Sequence, residues 1–231
     1  MSKAILSAKY PQFAERLTEL GYEIIPSETV DRFISYEQDH ADMQCLILDD
    51  TAFVLSRCKA LANALKSAYN VVLCADDISG EYPRNVALNA AQVGKNIICR
   101  VASLDDTVKA YCDSHGYNLI NVNQGYAKCS CAVVSDNAII TEDVGLYRTL
   151  SKTDIDVLLI GKGRVALEEA DCGFIGGATG YDKHSKTLYF CGSIHDHPDY
   201  SLISDFCKDH GTNIIELSNA HLTDIGSILI C

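Results

Sequence analysis

The sequence predicts an α/β fold in which five ββαβ units close into a ring, a fivefold pseudosymmetric α/β propeller. Residues 115–134 match residues 210–229 without a gap, and the order strand, strand, helix, strand returns along the chain. The chain begins with a strand, a helix and a strand but ends on a single first strand. The two termini would therefore complete the fifth unit together. A repeat of fixed period indicates stacked units that bury a shared core.

The elements follow from apolar runs and breakers. Residues 3–8 form an apolar run, Pro11 suits a first helical turn, and Gly21 ends a helix whose apolar residues recur at helical spacing. The other helices are predicted at 58–68, 105–115, 144–153 and 200–209. The strands are predicted at 3–8, 22–27, 40–50, 52–56, 70–76, 82–93, 95–100, 117–122, 125–136, 138–143, 156–161, 168–180, 186–194, 212–218 and 221–231.

These elements predict a single domain over residues 1–231. Four units are contiguous and the fifth is split between the termini. The predicted boundaries are 40–81, 82–125, 126–167, 168–220, and 221–231 plus 1–39. An open α/β sheet is the alternative, but it does not account for the internal repeat or for the complementary termini.

Composition limits the classes of binding partner and the cellular compartment that we expect. The formal net charge of −12 argues against nucleic acid and anionic membranes and is compatible with a cationic ligand. Eleven cysteines sit singly in apolar runs, as expected of reduced, buried thiols. The first ten residues are too short and mixed for a signal peptide, and no apolar run has membrane-spanning length. We therefore expect a cytoplasmic protein with no cofactor and no metal, and a homo-oligomer remains open.

The first strand of each unit is expected to line the ring axis. Alternation with period two places an apolar face under the helices and a small or polar face toward the axis. The axial positions predicted in this way are Met43, Asn85, Cys129, Asp171 and Asp224. Asp42, Arg84 and Lys128 would line the edge of the mouth, and His40, Tyr82, Tyr126, Glu168 and His221 would form its rim.

This constellation combines a thiol with carboxylates. A nucleophilic thiol needs a lowered pKa, which Lys128, Arg84 or a protonated histidine would supply. Two carboxylates facing one pocket suit a planar guanidinium, whose donors form a matching fork. Alternatively, Cys129 and Cys131 are small core packers. A metal site formed by Cys129 and Cys131 is a weaker alternative, because the spacing of the sequence supplies no further ligands.

The fivefold ββαβ arrangement resembles the pentein fold of guanidino-modifying enzymes, which include arginine and agmatine deiminases, dimethylargininases and amidinotransferases. The resemblance in architecture covers the whole chain. His40-Ala41-Asp42 is similar to the His-x-Asp signature of that superfamily. The resemblance implies Cys129 as nucleophile, His40 as acid/base, and Asp42, Asn85, Asp171, Asp224 and His221 as substrate-binding residues.

The chain also departs from that pattern. In those enzymes the nucleophile lies in the last unit, whereas here the axial position of that unit is Asp224 and its only cysteine is Cys231. Two functions therefore stay open. One is a hydrolase or transferase that cleaves a guanidinium C–N bond through a thiouronium on Cys129. The other is a non-catalytic binding protein on the same ring, as in the ribosome anti-association factor.

Overall fold

Five three-stranded sheets, each packed against a helix, make up the architecture of the chain. The computed structural model describes residues 2–74 and 81–231. Its strands are β1 Lys3–Leu6, β2 Glu23–Pro26, β3 Cys45–Leu48, β4 Thr51–Leu55, β5 Asn70–Cys74, β6 Ala91–Val93, β7 Asn96–Cys99, β8 Asn118–Asn121, β9 Ala132–Ser135, β10 Ala138–Thr141, β11 Asp156–Leu159, β12 Thr179–Asp182, β13 Thr187–Phe190, β14 Asn213–Glu216 and β15 Leu229–Ile230. The helices are α1 Pro11–Glu19, α2 Ala41–Gln44, α3 Lys59–Leu65, α4 Asp106–Ser114, α5 Ala127–Ser130, α6 Val144–Leu150 and α7 Tyr200–Asp209, with a 3-10 turn at Ser35–Glu37.

Every sheet has the same topology. Its middle strand pairs antiparallel with the first strand and, after the helix, parallel with the third. In the fifth sheet the first strand is β15, from the C-terminus, and it pairs with β1, from the N-terminus, in the register Ala4 to Ile230. This confirms the predicted ββαβ repeat and its closure by both chain ends.

Local sequence explains why the helices begin and end where they do. Pro11 occupies the first turn of α1, and the side chain of Asp105 caps α4 by accepting from the backbone N–H of Thr107 at 2.8 Å. Gly116 and Gly211 follow α4 and α7 with positive φ angles, the usual conformation after a helix C-terminus. These two glycines occupy equivalent positions in the internal repeat.

The hydrophobic core runs around the ring. Each of the four apolar clusters joins neighbouring units, and together they cover all five contacts between units. Cys112 of α4 and Cys207 of α7 are fully buried at equivalent places, and all eleven cysteines are free. Within the described ranges, none of the helices is long and apolar enough to cross a membrane.

The first strands are shorter than predicted. They begin at Cys45, Ala91, Ala132, Thr179 and Leu229, well after the predicted unit starts. Two of the preceding segments are the one-turn helices α2 and α5, and the others are turns and irregular backbone. The period-two alternation therefore does not apply where the axial residues were placed. The predicted strand 70–76 extends over residues 75 and 76, which lie outside the described residues.

Candidate functional site

Two one-turn helices carry the central side chains. His40 is the N-cap residue of α2 and Asp42 lies in its first turn, while Lys128 and Cys129 lie in α5. The backbone N–H of Asp42 donates to the carbonyl of Gly226 at 3.1 Å, which ties α2 to the last unit. The carbonyl of Cys129 accepts from the N–H of Gly177 at 2.9 Å, which ties α5 to the fourth unit.

The structure brings together the two predicted catalytic residues, His40 and Cys129, and the predicted substrate-binding residue Asp42. A ring nitrogen of His40, a carboxylate oxygen of Asp42 and the Sγ of Cys129 all lie within 4.8 Å of one another. The Cys129 thiol donates to Oδ2 of Asp42 at 3.1 Å. All three residues are buried, at 6%, 1% and 2% exposure respectively.

Three further residues complete this central cluster. The amide of Asn89 donates to the Cys129 Sγ at 3.1 Å, and Ser227 Oγ donates to Asp42 Oδ2 at 2.6 Å. Lys128 Nζ in turn donates to Ser227 Oγ at 2.9 Å. Asn89 and Ser227 were missed by sequence reasoning, because both were assigned to strands and neither lay at a predicted axial position. Ser227 has a φ of 68°, a conformation that the sequence does not signal.

Asp224 is the second buried carboxylate of the cluster. Its Oδ2 accepts from the N–H of Phe174 and its Oδ1 from the N–H of Gly226, both at 2.9 Å. Burial raises the pKa of Asp224, nearby Asp42 raises it further, and His40 lowers it. Two acidic groups therefore face the same small volume, as the sequence predicted for Asp224.

Asn85 is buried beside the cluster, with a partner that sequence reasoning missed. Its amide donates to Oε2 of Glu37 at 2.9 Å and to the hydroxyl of Tyr126 at 3.0 Å. Glu37 is itself buried, and desolvation raises its pKa against hydrogen bonds from Tyr126 and Asn85. Glu37 lies in a charged loop before the first predicted unit, where no sequence pattern distinguishes it from solvated neighbours.

Asp171 and His221 do not join the central cluster. Both side chains are exposed, and Arg84, predicted at the mouth edge, is exposed as well. The reason is the late start of the first strands: residues 168–178 and 221–228 follow irregular backbone, so alternation does not orient their side chains. Of the predicted rim, Tyr126 stacks between Tyr82 and Phe174, at ring centroid distances of 5.5 and 6.0 Å.

The expected lowered pKa of the thiol is wrong for the free protein. Burial raises the pKa of Cys129 well above its ordinary value, and the carboxylates of Asp42 and Asp224 raise it further. The Asn89 hydrogen bond acts in the opposite direction but is a smaller effect. Cys129 is therefore a protonated thiol when no cation occupies the cluster.

The side chains of His40, Asp42 and Cys129 are also arranged as metal ligands would be, and His40 lines a cavity. A nitrogen, an oxygen and a sulfur ligand within 4.8 Å are a set that a borderline metal ion such as Zn²⁺ accepts. His40 lies at one wall of a cavity of about 190 Å³, which we call the mouth cavity. Its other walls include Ser7, Tyr10, Tyr36, Glu168 and Glu169.

A model of a family of unknown function, DUF6873, matches residues 5–229. No curated protein matches the sequence.

Solved structures give the fold. A mutant DDAH from Pseudomonas aeruginosa complexed with citrulline aligns at a TM-score of 0.56 and 12% identity, over 94% of this chain and 91% of that chain. Agmatine deiminase from C. jejuni aligns at 0.54 and 10%, over 94% and 87%. Inosamine-phosphate amidinotransferase from Streptomyces griseus aligns at 0.52 and 12%, over 93% and 75%. These likenesses confirm the predicted pentein fold.

Proposed function

The chain belongs to the DUF6873 family of unknown function, and on that premise we propose that it binds a guanidinium or amidinium group at the centre of the ring and modifies it through Cys129. The observation that carries the proposal is the Cys129 thiol, 3.1 Å from Asp42 and grouped with His40. Solved structures of the same fold include enzymes whose names specify agmatine deimination and amidino transfer. The ligand we propose is a small cationic guanidino compound, and neither nucleic acid nor a membrane is an expected partner.

The charge of the cluster favours a cation. Asp42, Asp224 and Glu37 are buried carboxylates in one region, and the raised pKa values of Asp224 and Glu37 reflect the cost of charging them there. A planar guanidinium supplies the donors and the positive charge that would offset this cost. The same positive charge would lower the pKa of Cys129, because it opposes the two carboxylates that raise it.

The chemistry follows from these positions. The Cys129 proton passes to its hydrogen-bond acceptor Asp42, and the sulfur attacks the guanidinium carbon. The C–N bond to the leaving amine breaks as His40 protonates that amine, leaving a thiouronium on Cys129. Water then adds to the thiouronium carbon and gives one proton to His40. The C–S bond breaks, Asp42 returns the thiol proton to the sulfur, and the other proton of water is released to solvent as the ureido product forms. In a transferase an amine takes the amidino group in place of water.

Labelling with 2-chloroacetamidine, a planar cation with a leaving group, tests the proposal against neutral iodoacetamide at equal dose. We expect single, saturable addition at Cys129, located by peptide mapping in a Cys172→Ser background that removes the exposed thiol. Asp224→Asn should prevent this addition. Asp171→Asn, which neutralises an exposed carboxylate outside the cluster, should leave it unchanged.

The contrary result is slow addition spread over several cysteines, with no preference for the cationic reagent and no effect of Asp224→Asn. That result would exclude Cys129 chemistry and favour the non-catalytic binding protein. If labelling succeeds, turnover of arginine, agmatine and methylated arginines is the next measurement, with release of ammonia or an amine as the readout.

A further inference from the structure

A second cavity lies on the ring axis, on the side of the hairpin turns. Its volume is about 290 Å³, and all five first strands contribute to its wall through Ile47, Gln92, Val133, Tyr181 and Ile230. The hairpin turns lie at its outer end, including Asp49, Asp136 and Lys183. We call this cavity the axial funnel. It is separate from the mouth cavity, which is lined by different residues.

The funnel also reaches the central cluster, because Asp42 and Lys128 contribute to its lining. Oδ2 of Asp42 accepts from Cys129 and Ser227, whereas Oδ1 is buried and has no hydrogen-bond partner among the described residues. A buried carboxylate oxygen without a donor costs free energy, so this oxygen favours a ligand that supplies one.

Lys128 offers the complementary group. Its Nζ donates to Ser227 Oγ at 2.9 Å and to the carbonyl of Gly176 at 3.4 Å, and an ammonium has three N–H donors. Ser227 Oγ contacts both Oδ2 of Asp42 and Nζ of Lys128, so the side chains of Asp42 and Lys128 lie close to each other. Asp42 and Lys128 line the funnel, whereas the carboxylates Asp224 and Glu37 of the cluster do not. In the funnel, therefore, Lys128 would repel an ammonium ligand and Asp42 would repel a carboxylate ligand.

We propose that the axial funnel is a second ligand site, which binds a small molecule with a neutral primary amide or urea head and an apolar body. The NH₂ of the head would donate to Asp42 and its carbonyl would accept from Lys128. The body would pack against Leu46, Leu88 and Ile228, which line the cavity. The volume is at the lower end of the range of small-molecule pockets, which limits the body to about one ring.

The test is a titration followed by two-dimensional amide NMR, with benzamide as the probe and benzylamine and benzoate as charged controls of similar shape. We expect saturable shifts at Ile47, Gln92 and Ile230, with benzamide binding at least roughly tenfold more tightly than either control. Val133→Phe fills the funnel and should weaken benzamide binding by a similar factor. Val144→Phe makes the same change at an exposed helix position and should not.

Ile230→Phe narrows the funnel from another strand and serves if Val133→Phe does not fold. The inference is overturned if benzamide does not saturate, if both filling variants bind it normally, or if benzylamine or benzoate binds equally well. None of these readouts involves thiol chemistry. A chain that binds benzamide in the funnel but is not labelled at Cys129 would keep this site and lose the proposed function, and the reverse result would do the opposite.

Discussion

Two kinds of segment meet at the ring axis, and they differ in whether side chains or backbone groups face the centre. The one-turn helices α2 and α5 present side chains to the centre: Asp42 and Cys129 bond to each other across the ring. The glycine-containing segments 173–177 and 224–227 present mainly backbone. Their N–H groups bond to Asp224 and Glu142, and Gly176 and Gly177 pack directly against α5 and Asp224.

The difference shows which residues are free to act. Both oxygens of Asp224 are held by backbone N–H groups, so this carboxylate is fixed in place. Asp42 has one oxygen held by a thiol and a hydroxyl and one oxygen without a partner in the described part of the chain. The helical side of the axis therefore carries the reactive groups, and the glycine side positions them.

The largest expected effect is on the glycine side. Gly226 has a φ of 74°, and a Cβ there would lie 2.3 Å from Cα, Cβ and Cγ of His40. Gly226→Ala should lower the free energy of unfolding by about 2–5 kcal/mol, from backbone strain and overpacking together. Gly116→Ala is the matched control, since its φ is 68° but no atom lies within 4 Å of the added Cβ. By urea denaturation, Gly116→Ala should lower the free energy of unfolding by about 1–2 kcal/mol. Equal losses in the two variants would contradict the packing argument.

The next effect concerns Glu142, which accepts from the N–H of Ile175 at 3.2 Å on the glycine side. Burial raises the pKa of Glu142 to about 7, so its ionised form destabilises the folded state. This cost is absent below the ordinary pKa of a glutamate, grows as the pH rises above it, and is complete once the pH passes about 7. Between about pH 4 and pH 8 the free energy of unfolding of the wild type should therefore fall by about 3 kcal/mol from this group, and that of Glu142→Gln should not. Parallel stability curves for the two proteins over this range would refute it.

Asp224→Asn and Asp42→Asn compare the two sides directly. In Asp224→Asn the NH₂ group faces one of the two backbone N–H donors. This should lower the free energy of unfolding by about 1–3 kcal/mol. In Asp42→Asn the NH₂ group can replace the oxygen that accepts no hydrogen bond. We therefore expect the free energy of unfolding to fall by less than about 1 kcal/mol. Chemical denaturation of both variants gives the comparison. If Asp42→Asn is the more damaging substitution, the two carboxylates do not differ as described.

The smallest effect on stability is also the most specific for chemistry. Because Asp42 raises the pKa of Cys129, Asp42→Asn should lower that pKa and speed the reaction with iodoacetamide at a given pH. Peptide mapping measures the rate at Cys129, and the exposed thiol of Cys172 in the same protein is the internal reference. A change at both cysteines would indicate loosening of the whole fold instead.

The sequence predicted most of the fold because repeats are local patterns. Within the gap-free match of residues 115–134 and 210–229, β8 and β14 begin at equivalent residues, and each follows a helix, α4 or α7. The split fifth unit also followed from the order of elements at the two ends. The error lay in the length of the first strands, because irregular segments before a strand carry no periodic signal.

The sequence alone therefore determined the five ββαβ units, their closure by both termini and the axial placement of Cys129 and Asp224. His40 and Asp42, predicted at the rim and the edge of the mouth, lie against Cys129 in the structure. Only the tertiary structure decided that Asn89, Ser227 and Glu37 join them and that Asp171 and His221 stay outside. It also decided the protonation of Cys129. These properties depend on distances between residues far apart in the chain and on burial from solvent, and neither is encoded in local spacing.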